Sequence, residues 1–244
     1  MKLFKNNILA ISMILLTSCS TSYHQLAPEY KATLPINSEI TSDASIQSII
    51  SPYKEELKAK MDRVLAYAPI DLHKNGYSSP LCNLVADVTF ETINDLYIKE
   101  GKGNIDAVLL NYGGLRRTFT AGDLTVGNIF ELAPFENELF VVQLKGETIK
   151  EMVDFYFKQT VAHPVAGITA TSTEDIKIGR EPLDLNKTYN VVTSDYLYNG
   201  GDNMFFFSKS LSKDVLNIKQ RDLLLDYFEK IDTVQVNTNK RIYK

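Results

Sequence analysis

Asn111-Tyr112-Gly113-Gly114-Leu115-Arg116-Arg117 and Asp195-Tyr196-Leu197-Tyr198-Asn199-Gly200-Gly201-Asp202 are two glycine-paired turns, and each follows a short apolar run. Ile105 to Leu110 leads into the first, and Tyr189 to Thr193 into the second. Runs of this length bounded by turn residues read as strands buried in a sheet. Paired glycines let a backbone come close to a ligand and present N–H groups to it. Either Arg116 or Arg117 can fork onto a phosphate or carboxylate. The second turn sets an aromatic ring a few residues from a carboxylate, and Pro134-Phe135-Glu136-Asn137 between the two puts a further aromatic in a loop. Two aromatics clamping a planar ring, with a carboxylate and an amide for its edges and hydroxyls, make a nucleoside site. The plainer reading of the same residues is ordinary turns and core aromatics.

Outward from these turns, Leu139 to Leu144 reads as a strand, Lys145-Gly146 as a turn and Glu147 to Phe157 as a helix. Extended runs are expected at 165–170 and 174–179, and a last helix at 219–231. Upstream, Ser79-Pro80 has the form of a helix start, with serine at the cap and proline at the first position. Leu81, Leu84, Val85, Val88, Ile93 and Leu96 then line one face as far as Ile98, and Gly101-Lys102-Gly103 closes that helix. Residues 65–73 look extended. Residues 43–66 carry Ile46, Ile49, Ile50, Tyr53, Leu57, Met61 and Val64 at helical spacing, with Pro52 expected to kink the helix or restart it. Helices and strands mix without regular alternation. The expectation is one α+β domain over 43–244 rather than a doubly wound α/β fold.

The chain has 244 residues, 44% of them apolar, which suits a single core. A formal charge of −4 does not suit a nucleic-acid binder, and any bound anion must be held by local donors. Lys2 and Lys5 precede an apolar run from Ile8 to Leu16, the layout of a secretory signal over 1–18. That run ends in Leu16-Thr17-Ser18-Cys19, which resembles the bacterial lipobox. The resemblance implies that Cys19 is lipidated and anchors the chain in the cell envelope, with the periplasmic face of the outer membrane favoured over the cell surface. A plain signal peptide with a fortuitous cysteine is the alternative. Residues 19–42, rich in Ser and Thr with Pro28 and Pro35, read as a flexible tether. With Cys19 lipidated, Cys82 has no partner for a disulfide.

Three histidines and two cysteines limit the chemistry further. His24 falls in the tether, and His73 and His163 have no histidine within a helical turn, so each reads as an ordinary surface or core residue. Two cysteines cannot build a cysteine-based zinc site. No Gly-x-Ser-x-Gly elbow and no Walker pattern occurs. The expectation is no catalytic residue, metal or cofactor in this chain.

The ordered motifs resemble the C-terminal domain of the 5′-nucleotidase family, which includes bacterial UDP-sugar hydrolases and animal ecto-5′-nucleotidase. The match spans about 44–244 and rests on Asn111 to Arg116 (Asn-Gly-Gly-Gly-Ile-Arg in the family) and on Pro134-Phe135 before a strand ending Gln143-Leu144-Lys145-Gly146. It rests also on Tyr196 to Asp202 (Phe-Leu-x-x-Gly-Gly-Asp) and on Ile178 to Leu183, which resembles the link between the domain's halves. The resemblance implies a nucleotide-binding site formed by Asn111, Gly113, Gly114, Arg116, Phe135, Tyr196, Gly201 and Asp202. In it Phe135 and Tyr196 sandwich the base, Asn111 bonds the base, Asp202 takes the ribose hydroxyls and Arg116 reaches the phosphate. Tyr196 stands where the family usually has Phe, and the pattern assigns no role to Arg117.

Two departures qualify this. The family usually has an arginine before the second helix; its place falls near Tyr77, no Arg lies between Arg63 and Arg116, and Cys82 replaces a small Gly. A lost charge-assisted hydrogen bond costs roughly 1.5–3 kcal/mol. The family's catalysis also uses a separate metallophosphatase domain with Asp-x-His, Gly-Asp, Asn-His-Glu and Gly-His-x-His motifs, and this sequence lacks the complete set, having neither Asn-His-Glu nor Gly-His-x-His. The expected function is therefore the substrate-recognition half of a split 5′-nucleotidase in nucleotide catabolism, with divalent metals in a separate metallophosphatase chain. A non-catalytic nucleoside- or nucleotide-binding lipoprotein is the alternative, and a remnant fold kept for another interaction is the third reading.

Overall fold

Alternation along three adjacent strands organises the molecule. The computed structural model describes residues 33, 35–38, 40–76 and 79–243. The expected signal sequence 1–18, Cys19, most of the expected tether and Tyr77 lie outside the described residues. The chain divides into a unit ending at Gln47 and a unit from Ser48 onward, and the second holds all the strands among the described residues.

In chain order the elements begin with α1 (Ala44–Met61), β1 (Val64–Ala68), α2 (Pro80–Lys99), β2 (Ala107–Leu109), β3 (Gly122–Thr125) and α3 (Val126–Leu132). They continue with β4 (Glu138–Lys145), α4 (Gly146–Lys158), β5 (Val165–Ala166), β6 (Ile168–Ala170), β7 (Ile176–Ile178) and β8 (Glu181–Pro182). The last four are β9 (Thr188–Ser194), α5 (Asp195–Tyr198), β10 (Ser212–Lys219) and α6 (Gln220–Phe228). The architecture is α+β. The main sheet has five strands in the order β10-β4-β9-β2-β5, with β2 parallel to β9 and the other pairs antiparallel. Val108, Val141 and Val192 face one core with α2 and α6, while Ala107, Leu109, Val142 and Val191 face a second core with α4. A sheet buried on both faces explains why β2, β4 and β9 read as continuous apolar runs.

Local signals carry through where they are chemically specific. Ser79 caps α2 by accepting the Cys82 N–H at 3.2 Å, and Pro80 occupies the first turn. Gly101 and Gly103 follow its end with φ of 69° and 98°, conformations that favour glycine. Cys82 is a buried free thiol whose pKa is pushed up by burial. The C-terminal segment straps α2 to the sheets: Asn83 Nδ2 donates to the carbonyls of Asn237 and Asn239, and buried Arg241 pairs with Asp87 and donates to the Val165 carbonyl.

Three expectations need correction. The 43–66 segment is a helix only to Met61, it runs through Pro52, and Ile46, Ile49, Ile50, Tyr53 and Leu57 are exposed rather than packed. Spacing specifies a helix but not what covers its stripe. The run 165–170 is broken by Gly167 at φ 77°, which sends β5 to the main sheet and β6 to a three-stranded one. Lys145-Gly146 is no turn, since β4 passes directly into α4 with Lys145 as its cap residue. Gly146 is required there because an added Cβ would lie 2.1 Å from the Asp184 carbonyl oxygen and 2.6 Å from Leu185 Cα. Backbone cannot yield as a side chain does, so Gly146→Ala is expected to lower stability by about 3 kcal/mol, the upper end for overpacking. Denaturant unfolding checks it, and an unchanged midpoint would contradict the close approach.

Candidate functional site

The sheet's registers bring three distant segments to one edge. Because β2 and β9 are parallel, with Val108 opposite Val192, the turns that follow them emerge side by side. Because β4 is antiparallel to β9, with Leu139 opposite Ser194, the segment entering β4 arrives at the same edge. Ligands of open α/β sheets sit outside the carboxyl ends of parallel strands, where backbone donors and loops converge. Here a cavity of about 310 Å³ lies at that place, lined by Asn111, Gly113, Arg116, Phe135, Asn137, Tyr196 and Asp202.

Six of the eight residues expected from sequence line this cavity. Phe135 is 48% exposed and Tyr196 43% exposed, and neither ring has an aromatic partner among the described residues. Large aromatics held at a cavity rim without a stacking partner are available to a planar ligand. Asn111 is only 9% exposed, and its side chain makes no capping bond to the turn it begins. The Tyr196 hydroxyl donates to Asp202 Oδ1 at 2.8 Å, and this carboxylate pushes the phenol pKa up. Asp202 sits at φ 52°, the left-handed region that aspartate tolerates better than most residues.

Gly114 and Gly201 do not line the cavity; each makes room for a side chain that does. A Cβ on Gly114 would lie 2.8 Å from Asn111 Oδ1, and one on Gly201 would lie 2.5 Å from the Tyr196 ring and 2.6 Å from its carbonyl oxygen. A Cβ on Gly113 meets only Asn111 Nδ2, at 3.9 Å. Gly201→Ala is therefore expected to move both the Tyr196 ring and the backbone of the turn, and to weaken ligand binding by at least about tenfold. Gly113→Ala is expected to fold like the parent. Titration with AMP beside thermal unfolding separates the two, and equal affinity of Gly201→Ala and parent would refute the argument.

The two arginines part company. Arg116 lines the cavity, its backbone N–H donates to the Leu132 carbonyl at 2.7 Å, and its guanidinium has no carboxylate partner among the described residues. Arg117 is paired with Glu131. The loop carrying Phe135 is tied down next door: Glu136 accepts from Lys219 and Arg221, and these bonds hold its carboxyl down to about 2. Asp195 Oδ1 accepts from Asn137 Nδ2 and from the backbone of Glu138 and Tyr196, which locks this loop to the start of α5.

Three contributors carry no mark in the sequence. Asn137 lines the cavity. Lys74 Nζ donates to the Leu115 carbonyl at 2.6 Å and lies 4.0 Å from the centre of the Tyr112 ring, with its pKa lowered by burial first and by the Arg116 charge last. His163 Nδ1 accepts the Tyr112 N–H at 3.1 Å. No three His, Cys, Asp or Glu side chains come together as a metal site among the described residues.

Residues 64–209 match the model of the 5′-nucleotidase C-terminal domain, and the chain belongs to that family. It is 25% identical over 82% of its length to the trifunctional nucleotide phosphoesterase YfkN of Bacillus subtilis, of which it covers 15%. It is 25% identical over 82% of its length to a 5′-nucleotidase of Vibrio cholerae, covering 37% of that protein. With UshA of Yersinia enterocolitica it shares 24% identity over 67% of its length and 30% of the relative's. The chain thus spans less than half the length of these curated relatives. The 5′-nucleotidase precursor of Thermus thermophilus superposes with a TM-score of 0.67 at 24% identity, over 80% of this chain and 42% of that one, a likeness of fold.

Proposed function

We propose that this chain is the nucleotide-recognition half of a 5′-nucleotidase whose metallophosphatase is supplied by a separate chain. The observation that carries the reading is the meeting, in one cavity, of two exposed rings, a buried amide, a carboxylate and an arginine without a carboxylate partner among the described residues. In this reading Phe135 and Tyr196 clamp the base, Asn111 bonds its edge, Asp202 accepts from the ribose and Arg116 holds the phosphate. Asp71-Leu72-His73 and two Gly-Asp pairs occur, but Asn-His-Glu and Gly-His-x-His are absent from the sequence, so the family's metal set is incomplete here and the reaction needs another source of activated water. The chain acts in nucleotide catabolism as an envelope lipoprotein, anchored through Cys19 on the periplasmic face.

Calorimetric titration of the full chain with AMP, adenosine and a UDP-sugar tests the reading, with phosphate release assayed in Mn²⁺. Expected is binding without turnover, and turnover once a co-secreted metallophosphatase is added. Turnover by the pure chain, or no binding of any of the three ligands, would overturn it. Equal affinity for adenosine and AMP would favour the non-catalytic binding lipoprotein, a reading to which the missing arginine near Tyr77 lends weight.

A further inference from the structure

His163 is not among the residues that line the cavity; it is only 4% exposed, on the segment that leads into β5. Its Nδ1 accepts the Tyr112 N–H at 3.1 Å. A backbone amide can only donate, so Nδ1 is the unprotonated nitrogen and the ring is neutral with its proton on Nε2. The ring is held from behind: Tyr156 of α4 meets it edge-on at 6.0 Å and donates its hydroxyl to the His163 carbonyl. The amide that His163 holds opens the Tyr112–Gly114 turn, between Asn111 and the cavity-lining Gly113.

We infer that His163 is a positioning residue of the cavity, whose neutral ring fixes the Tyr112–Gly114 turn and whose protonation releases it. An imidazolium has no acceptor, so a proton on Nδ1 replaces the hydrogen bond with two N–H groups facing each other. Burial pushes the His163 pKa below its usual 6.5, against the opposing influences of the Asp202 charge and a Leu110 backbone hydrogen bond. The titratable groups around it are Asp202 on the second turn and Tyr156 on α4, with Lys74 and Arg116 the cations about the first turn. The ring is therefore neutral at neutral pH, and the turn loosens as pH falls through a value under 6.5. The neutral ring holds the first turn by its hydrogen bond, and only the protonated ring is attracted to Asp202 of the second.

The inference rests on the nucleotide reading for its effect on binding but not for its effect on the turn, so two readouts are needed. Exchange of the Tyr112 amide, corrected for its intrinsic pH dependence, reports the turn in the full chain without ligand. Adenosine titration reports the site with a probe that does not itself titrate between pH 5 and 8. The parent is expected to lose Tyr112 protection and adenosine affinity by roughly threefold to tenfold as pH falls from about 7.5 through the titration of His163, the worth of one hydrogen bond. His163→Asn, whose amide oxygen can replace Nδ1 as acceptor, is expected to keep both and to lose their pH dependence. His163→Leu is expected to show the low values at every pH. Tyr112 protection that is equal in parent and His163→Leu, or a pH dependence that survives in His163→Asn, overturns the inference. If the parent binds no adenosine, the nucleotide reading fails while Tyr112 exchange still decides the role of His163. If His163→Leu does not fold, the parent and His163→Asn decide it.

Discussion

Phe135→Ala is expected to weaken nucleotide binding between about fivefold and 150-fold, the range for removing one aromatic from a base stack. The ring is half exposed and has no aromatic partner among the described residues, so stability should change by no more than about 0.5 kcal/mol. Tyr196→Ala should cost at least as much affinity, because it also removes the hydroxyl that donates to Asp202 Oδ1. Tyr196→Phe separates the two contributions by keeping the face and deleting the bond. The rings face one cavity, so the double substitution tests coupling: a ligand sandwiched between them gives a loss smaller than the product of the single losses. Calorimetric titration with AMP reads all four variants. If Phe135→Ala and Tyr196→Ala both bind as the parent does, the cavity is not a base clamp, and the remnant reading stands instead.

How far the sequence discloses this site depends on how local each signal is. Ser79-Pro80 marks the start of α2 because capping chemistry is complete within four residues. The glycine pairs mark the turns because each close approach involves neighbours in the chain, Asn111 for Gly114 and Tyr196 for Gly201. The strands β2 and β9 are legible because burial on both faces leaves unbroken apolar runs. Their parallel pairing is not legible, yet it is what sets the two turns side by side. The edge strand β10 is hidden too: Ser212–Lys219 is mostly polar, half exposed and bulged near Asn217, so neither alternation nor an apolar run marks it. The short β3 and α3 carry too few residues for periodicity to speak. His163 and Lys74 act through partners 51 and 41 residues away, and nothing in their own surroundings in the chain announces that.

Arg116→Ala is expected to weaken AMP binding about tenfold to 150-fold while leaving adenosine binding unchanged, the cost of one charge-assisted hydrogen bond to a phosphate. The contrast follows from placement. Arg116 faces the cavity with no carboxylate to neutralise it among the described residues, whereas Arg117 is engaged by Glu131. Arg117→Ala is accordingly the control, with AMP affinity near that of the parent. The chain's formal charge of −4 sharpens the test, since the global field disfavours an anion and the local cation must supply the attraction. Added salt should therefore weaken AMP binding to the parent and have little effect on adenosine. Calorimetry with both ligands at low and high salt checks each point. Equal losses for AMP and adenosine would place Arg116 among the supports of the turn rather than at the phosphate. No loss for either ligand would mean that this cavity recognises a nucleoside alone, and a recognition half that ignores the phosphate would have no reason to deliver its ligand to a phosphatase.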